Sequence, residues 1–132
     1  TIKRVHRFRK MFGGGMPQAG VLAAAALYAL DHNIDRLAED HANAKRLASA
    51  IADMPGVTID PGAVETNIVY FDVNESTGTA KSVCDAVREH GVWILPTAPQ
   101  RIRAVTHLDV SAEAIDRAIA AMNRALSSRA KS

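Results

Sequence analysis

Ten consecutive apolar residues, Val21 to Leu30, constrain this chain more than any other feature. They follow a triple glycine, Gly13 to Gly15, and Pro17. Three glycines break any helix, and a proline suits the first turn of a new one. The spacing therefore predicts a helix over Gln18 to His32. Ten residues are too few for a membrane span, which needs about 20, so no transmembrane helix is read. The helix is apolar nearly all round and rich in alanine at positions 23 to 26. Such a helix has to be covered on several sides, and nothing nearby in the chain does so. It implies further chain or a partner subunit.

The rest of the composition belongs to one folded domain. The chain has 132 residues, 48% of them hydrophobic and 23% charged, which excludes a disordered segment. Aromatics are only 5%, so alanine and branched aliphatics have to pack the core. A single cysteine, Cys84, excludes a disulfide framework and a multi-thiolate zinc site. The first ten residues hold five basic side chains and no acid, leaving the remainder at −3 against a total of +2. A basic head reads as a solvated helix face, an anion site or a nucleic-acid contact; with no aromatic platform beside it, no nucleic-acid partner is expected. The stretch TIKRVHRFRKMF reads as a helix without a cap at Thr1, the pattern of a piece of a larger protein. With no signal peptide and no membrane span, a cytoplasmic setting is expected.

Further along, Asn33 reads as a cap for a helix reaching Met54, with Ile34, Leu37, Ala38, His41, Ala44, Ala48 and Ile51 as its apolar stripe. Pro55-Gly56 ends it. Val57 to Asp60 reads as a short strand. Thr66 to Val73 (TNIVYFDV) carries the strongest strand signal, with apolar residues on both faces, as in a central strand. A helix over Thr79 to Glu89 points Ala80, Val83, Cys84 and Val87 inward. Strands follow at Val92 to Leu95 and Ile102 to His107. Ser111 caps a last helix with the stripe Ile115, Ala118, Ile119, Met122 and Leu126, before a fraying tail, SSRAKS. The expected fold class is α/β: long helices at residues 1–55, then a small sheet with helices on one face at residues 56–132.

Three groups are candidates for chemistry. Gly13 to Gly15, after Arg9-Lys10 and ahead of a helix start, read either as an anion site of free backbone N–H groups or as a hinge. Arg101 and Arg103 lie two apart on a strand and share a face. Arg103 reads as a rigid carboxylate clamp, its planar fork matching two oxygens, or as a surface arginine. His107 and Asp109 read as structural hydrogen bonding at a strand end rather than as an acid–base pair. The remaining histidines have no metal-ligand spacing, so no metal is expected. Cys84 reads as an inert core residue. Of the lysines, only Lys10, beside the glycines, has a plausible setting for a Schiff base.

Taken in order, RKMFGGGMPQAGVLAAAALYALDH, RLAEDHANAKRLA, TNIVYFDV and RIRAVTHLDVS resemble the C-terminal part of the low-specificity L-threonine aldolases, over essentially the whole chain. These are pyridoxal-phosphate (PLP) enzymes of fold type I. The resemblance implies cleavage of a β-hydroxy-α-amino acid, L-threonine or L-allo-threonine, to glycine and acetaldehyde through a PLP imine, in a homo-oligomer, dimer or tetramer. It implies that residues 1–55 are the end of a large domain with its connecting helices, and residues 56–132 the small C-terminal domain. The Schiff-base lysine of the family lies in a preceding segment, so no catalytic residue is expected here and the chain alone is expected to be inactive. Arg103 matches the arginine that binds the substrate α-carboxylate. Lys10 matches a lysine near the active site, and Gly13, Gly14, Gly15 and Met16 a loop close to a neighbouring subunit's cofactor. Pro17 departs from the pattern, standing where an arginine usually reaches the PLP phosphate. The other reading of the same residues is a stand-alone α/β interaction or regulatory domain.

Overall fold

A computed structural model describes residues 1–129. The chain divides into two compact units, residues 1–35 and residues 36 onward.

The first unit holds two helices, α1 (Ile2–Met11) and α2 (Gly20–His32), and none of their residues is buried. Gly13, with φ +81°, ends α1. Its N–H donates to the Lys10 carbonyl, and that of Gly14 donates to the Arg9 carbonyl at 2.8 Å. This left-handed cap satisfies two carbonyls that a helix end leaves free. The turn over residues 17–19 delays α2 to Gly20 rather than Gln18. Tyr28 and His32 stack one turn apart on α2, their ring centroids 4.1 Å from each other.

The second unit carries the sheet. In chain order it comprises α3 (Leu37–Ala52), β1 (Val57–Thr58), β2 (Ile68–Val73), α4 (Ala80–Arg88), β3 (Leu95–Pro96), β4 (Arg101–Val105) and α5 (Ala112–Arg129). The strands are antiparallel in the order β1-β2-β4-β3. β2 is thus an interior strand, as its apolar content predicts. Its burial alternates, however: Val69, Phe71 and Val73 face the core, while Ile68 and Tyr70 are exposed. On β4, Ile102 and Ala104 are buried in the same way. α3 packs against β2 and α5, and α4 against β4 and α5, so the helices cover one face and leave the other open.

The core combines Leu47 and Ile51 of α3, Val83 and Val87 of α4, and Ile115, Met122 and Leu126 of α5 with the inward residues of β2 and β4. The four residues expected to point inward from α4 are the four that it buries. Thr79 caps α4, its Oγ1 accepting from the Ser82 N–H at 3.2 Å. Ser111 caps α5 by accepting from the Ala114 N–H at 3.3 Å. Gly56 (φ +76°) lies so close to Thr77 that a β-carbon would stand 2.0 Å from its hydroxyl, so the turn after α3 requires glycine there.

Three expectations are corrected. Asn33 ends α2 instead of starting α3, and the stripe of α3 begins only at Ala44, because Ile34, Leu37 and Ala38 are exposed. The strand expected at Val92 to Leu95 is only Leu95–Pro96, since Val92 and Ile94 pack against the core instead of joining the ladder. The final helix continues through Ser127 to Arg129, where the tail was expected to fray; Arg129 anchors it by donating to the Ser82 carbonyl at 2.9 Å and the Ser82 hydroxyl at 3.0 Å. Ala130 to Ser132 lie outside the described residues.

Candidate functional site

The open face of the sheet is built by three cross-strand pairs. Ile68 faces Val105, Tyr70 faces Arg103 and Asp72 faces Arg101. The Thr106 N–H donates to the Asn67 carbonyl, and the Val73 N–H to the Gln100 carbonyl. These flanking bonds set the alternation, so the three pairs are the narrow, non-hydrogen-bonded kind, in which opposing side chains come closest.

The two arginines of this face have different fates. Arg101 is engaged: its Nε donates to Asp72 Oδ1 at 2.9 Å and its Nη2 to Asp72 Oδ2 at 2.8 Å. That fork holds the Asp72 carboxyl below its ordinary range and pushes the Arg101 guanidinium higher. Arg103 forms no ion pair among the described residues. It lies between Tyr70 on β2 and Leu95 on β3, half-buried, and its Nε is shielded from solvent with no hydrogen-bond partner. A buried donor without an acceptor costs about 1–3 kcal/mol. An incoming carboxylate would remove that cost and meet the remaining guanidinium donors. The sequence puts both arginines on one face and reads Arg103 as the clamp; the register shows that Arg101 is the one paired, with Asp72.

What the sequence missed is the partner set. Tyr70 borders Arg103, and Asp72 occupies Arg101. The signal was available in TNIVYFDV, where Asp72 is the one charge in an apolar strand and shares a face with Tyr70.

The first unit gathers the other candidates. Lys10 is in the last turn of α1 and exposed, and the loop Gly13 to Gly15 folds back over it. A β-carbon on Gly15 would stand 3.1 Å from Lys10 Cδ, and one on Gly14 2.9 Å from Arg9 Cγ. The glycines therefore let the loop lie against two basic side chains. They do not feed into the N-terminus of α2, which begins only at Gly20, with Pro17 in the intervening turn. Met16 is exposed.

His107 and Asp109 are in a turn beyond the end of β4, not on a strand. The His107 ring Nδ1 accepts from the Asp109 N–H at 3.3 Å and lies 3.7 Å from the Asp109 carboxylate. With Nδ1 accepting, the carboxylate has no ring proton to receive, so the pair is a local turn bond rather than a dyad. Burial pushes the Cys84 thiol up to about 11, the behaviour of an inert core residue. Among the described residues no group of three or more His, Cys, Asp or Glu gathers. No described helix is long and apolar enough to cross a membrane.

Comparison with known proteins gives this geometry its context. The family model of the beta-eliminating lyases matches residues 1–75, more than half of the chain. The chain belongs to the beta-eliminating lyase family. It is 40% identical to the probable low-specificity L-threonine aldolase 2 of Arabidopsis thaliana, over 83% of this chain and 31% of that protein. It is 42% identical to the low specificity L-threonine aldolase of Escherichia coli K12, over 85% of this chain and 32% of that one. This member of the lyase family thus spans about a third of the length of those relatives. Among solved structures, MppP soaked with the product 2-ketoarginine superposes with a TM-score of 0.56 at 20% identity, over 74% of this chain and 30% of that one. The fold class is α/β, that of the C-terminal part of a PLP fold-type-I enzyme.

Proposed function

We propose that this chain is the C-terminal part of a threonine aldolase, in which the open face of the small sheet binds the amino-acid substrate. The observation that carries the reading is the contrast between the two arginines. Arg101 is neutralised by Asp72, whereas Arg103 keeps an unpartnered donor on the same face. Resemblance to the low-specificity L-threonine aldolases supports it.

The described residues fit a substrate carboxylate and do not fit the covalent anchor of PLP. Lys3, Lys10, Lys45 and Lys81 are all exposed, and Lys81 is paired with Asp85 at 2.6 Å. The turn at Pro17 offers no charge for a phosphate. On this reading the cofactor's covalent anchor is supplied by the rest of the enzyme. Residues 1–55 then form the end of the large domain with its connecting helices, and residues 56–132 the small domain. Lys10, with Gly13 to Met16, forms a basic loop in the first unit. The complete enzyme is a cytoplasmic homo-oligomer that cleaves L-threonine or L-allo-threonine to glycine and acetaldehyde.

Arg103 contributes by orientation. A two-point grip on the α-carboxylate would leave the substrate one rotational freedom fewer and so fix the direction of its Cα–Cβ bond. Pairing with Tyr70 on β2 and Leu95 on β3 fixes the Arg103 backbone on both sides. In the complete enzyme, Arg103→Ala should lower kcat/KM for L-allo-threonine by about 10²–10³-fold, the worth of a charge-assisted pair of about 3–4 kcal/mol. Arg103→Lys should recover only part of that, while Arg101→Ala should have a far smaller effect. Equal losses for Arg101→Ala and Arg103→Ala would remove the reading. The isolated chain, incubated with PLP and borohydride, should show no labelled lysine and release no acetaldehyde.

A further inference from the structure

The short β3 leaves a gap that the proposed aldolase reaction does not use. β3 pairs with β4 only at Leu95–Arg103 and Pro96–Ile102. The bond from the Thr97 N–H to the Arg101 carbonyl fixes the alternation, so Arg101, Arg103 and Val105 turn their backbone groups toward β3. Continuing the ladder would bring Trp93 opposite Val105. Instead Val92 and Ile94 turn into the core, and no backbone bond joins Trp93 to Val105 among the described residues. The N–H and C=O of Val105 face the space the strand has left.

That space is a cavity of about 320 Å³ in the second unit. Its walls are apolar: Leu47 of α3, Val92 and Ile94, Ala104 of β4, and Ile115 and Ala118 of α5. Its polar lining side chains are Thr106, His90, His107 and Arg117, and no carboxylate lines it. The Thr106 hydroxyl is already committed, donating to the Asp40 carbonyl at 2.7 Å. Acids that adjoin lining residues lie outside the lining itself. Asp109 sits beside His107, and Glu113, one turn before Arg117 on α5, is held below its ordinary range chiefly by the Ser111 hydroxyl, with Arg117 adding a weaker pull.

We infer that this cavity binds a small branched or aromatic carboxylic acid, its hydrocarbon part between α5 and the Val92–Ile94 segment and its carboxylate at the Val105 N–H and Arg117. An apolar interior with few convergent donors is the usual build of a small-molecule site. A lining that holds Arg117 and no carboxylate favours an anion. The site is separate from Arg103, whose side chain is on the open face, and the inference does not rest on the substrate reading of that residue.

Trp93 lines the cavity and is the chain's only tryptophan, so its fluorescence reports on occupancy. The test titrates the 132-residue chain with 4-methylpentanoate, and in parallel with 4-methylpentanamide. The acid should give a saturable change with a Kd on the order of 1 mM. The amide and the exposed variant Arg117→Gln should each bind roughly fivefold to tenfold more weakly. Ala118→Leu, which fills the cavity, should abolish the change while the unliganded fluorescence and the melting temperature stay close to those of the parent chain. Should that variant unfold, Ala114→Val narrows the same wall and should weaken binding in its place. A linear, unsaturable response to the acid overturns the inference. So does equal binding of acid and amide, or a filled-cavity variant that binds as before.

Discussion

α2 and α4 show why apolar content and core formation are different properties. α2 is the most apolar helix of the chain, yet Val21, Leu22, Leu27, Tyr28 and Leu30 are each at least 60% exposed. α4 is shorter and nearly half polar, yet it buries Ala80, Val83, Cys84 and Val87. The difference is periodicity. α4 places its apolar residues three and four apart, on one stripe that a single sheet can cover. α2 has no such stripe, so no one neighbour in its unit could satisfy it. Residues 36 onward fold around a core of their own, while residues 1–35 hold two helices that bury nothing.

The largest test of this contrast is truncation on each side of it. Phe71 is 1% exposed at the centre of β2. Phe71→Ala should cost about 3–5 kcal/mol in urea unfolding, the usual loss for a buried aromatic. Leu27→Ala, which removes a similar side chain from α2, should stay within about 0.5 kcal/mol. A comparable loss from Leu27→Ala would break the comparison. A loss that grows with protein concentration would sharpen it, showing that a second copy covers α2.

A smaller effect is expected from hydrogen bonds. The Thr106 hydroxyl, 1% exposed, donates to the Asp40 carbonyl and ties the end of β4 to α3. Thr106→Val should cost about 1–2 kcal/mol, because the carbonyl left behind is buried. The matching bond of the first unit joins His32 Nδ1 to the Tyr28 carbonyl on an exposed surface. His32→Ala should leave the melting temperature of the chain nearly unchanged, as water replaces the lost partner. Calorimetry on the two variants compares them directly.

The pattern of what the sequence revealed follows the same physics. Regular stripes were legible: the four buried residues of α4, the cap at Ser111 and the interior position of β2 all follow from local rules. Asp40 was not. It reads as a polar residue beside the α3 stripe, yet it is 3% exposed, held by a fork from Arg36 at 2.9 and 3.1 Å. That burial depends on how α3 meets the end of β4, which no local pattern encodes. The shortness of β3 was hidden for the same reason, since Val92 and Ile94 alternate like a strand but spend their side chains on the core. At the candidate site, the sequence placed Arg101 and Arg103 on one face. Only the register, with Asp72 opposite Arg101 and Tyr70 opposite Arg103, distinguishes the engaged arginine from the free one.

That register also predicts the smallest effect, a pH dependence confined to the second unit. The Arg101 fork lowers the Asp72 carboxyl below its unfolded value of 3.8. A carboxylate bound more tightly in the folded state stabilises it at every pH above that value. The contribution fades as pH falls from there through the lowered folded value, where protonation releases the fork. Because both side chains are substantially exposed, the effect is modest and should shrink further in ~1 M salt, where screening extends over only a few ångströms. Acid unfolding at low salt should therefore begin at higher pH for Arg101→Gln, whose loss leaves Asp72 to titrate normally, than for the parent chain. In Asp72→Asn the fork is gone at every pH, so stability near neutrality should fall slightly while this part of the acid dependence disappears. Superimposable acid limbs for the parent chain and both variants would show that Arg101 is as free in solution as Arg103, and the distinction that singles out Arg103 would be lost with it.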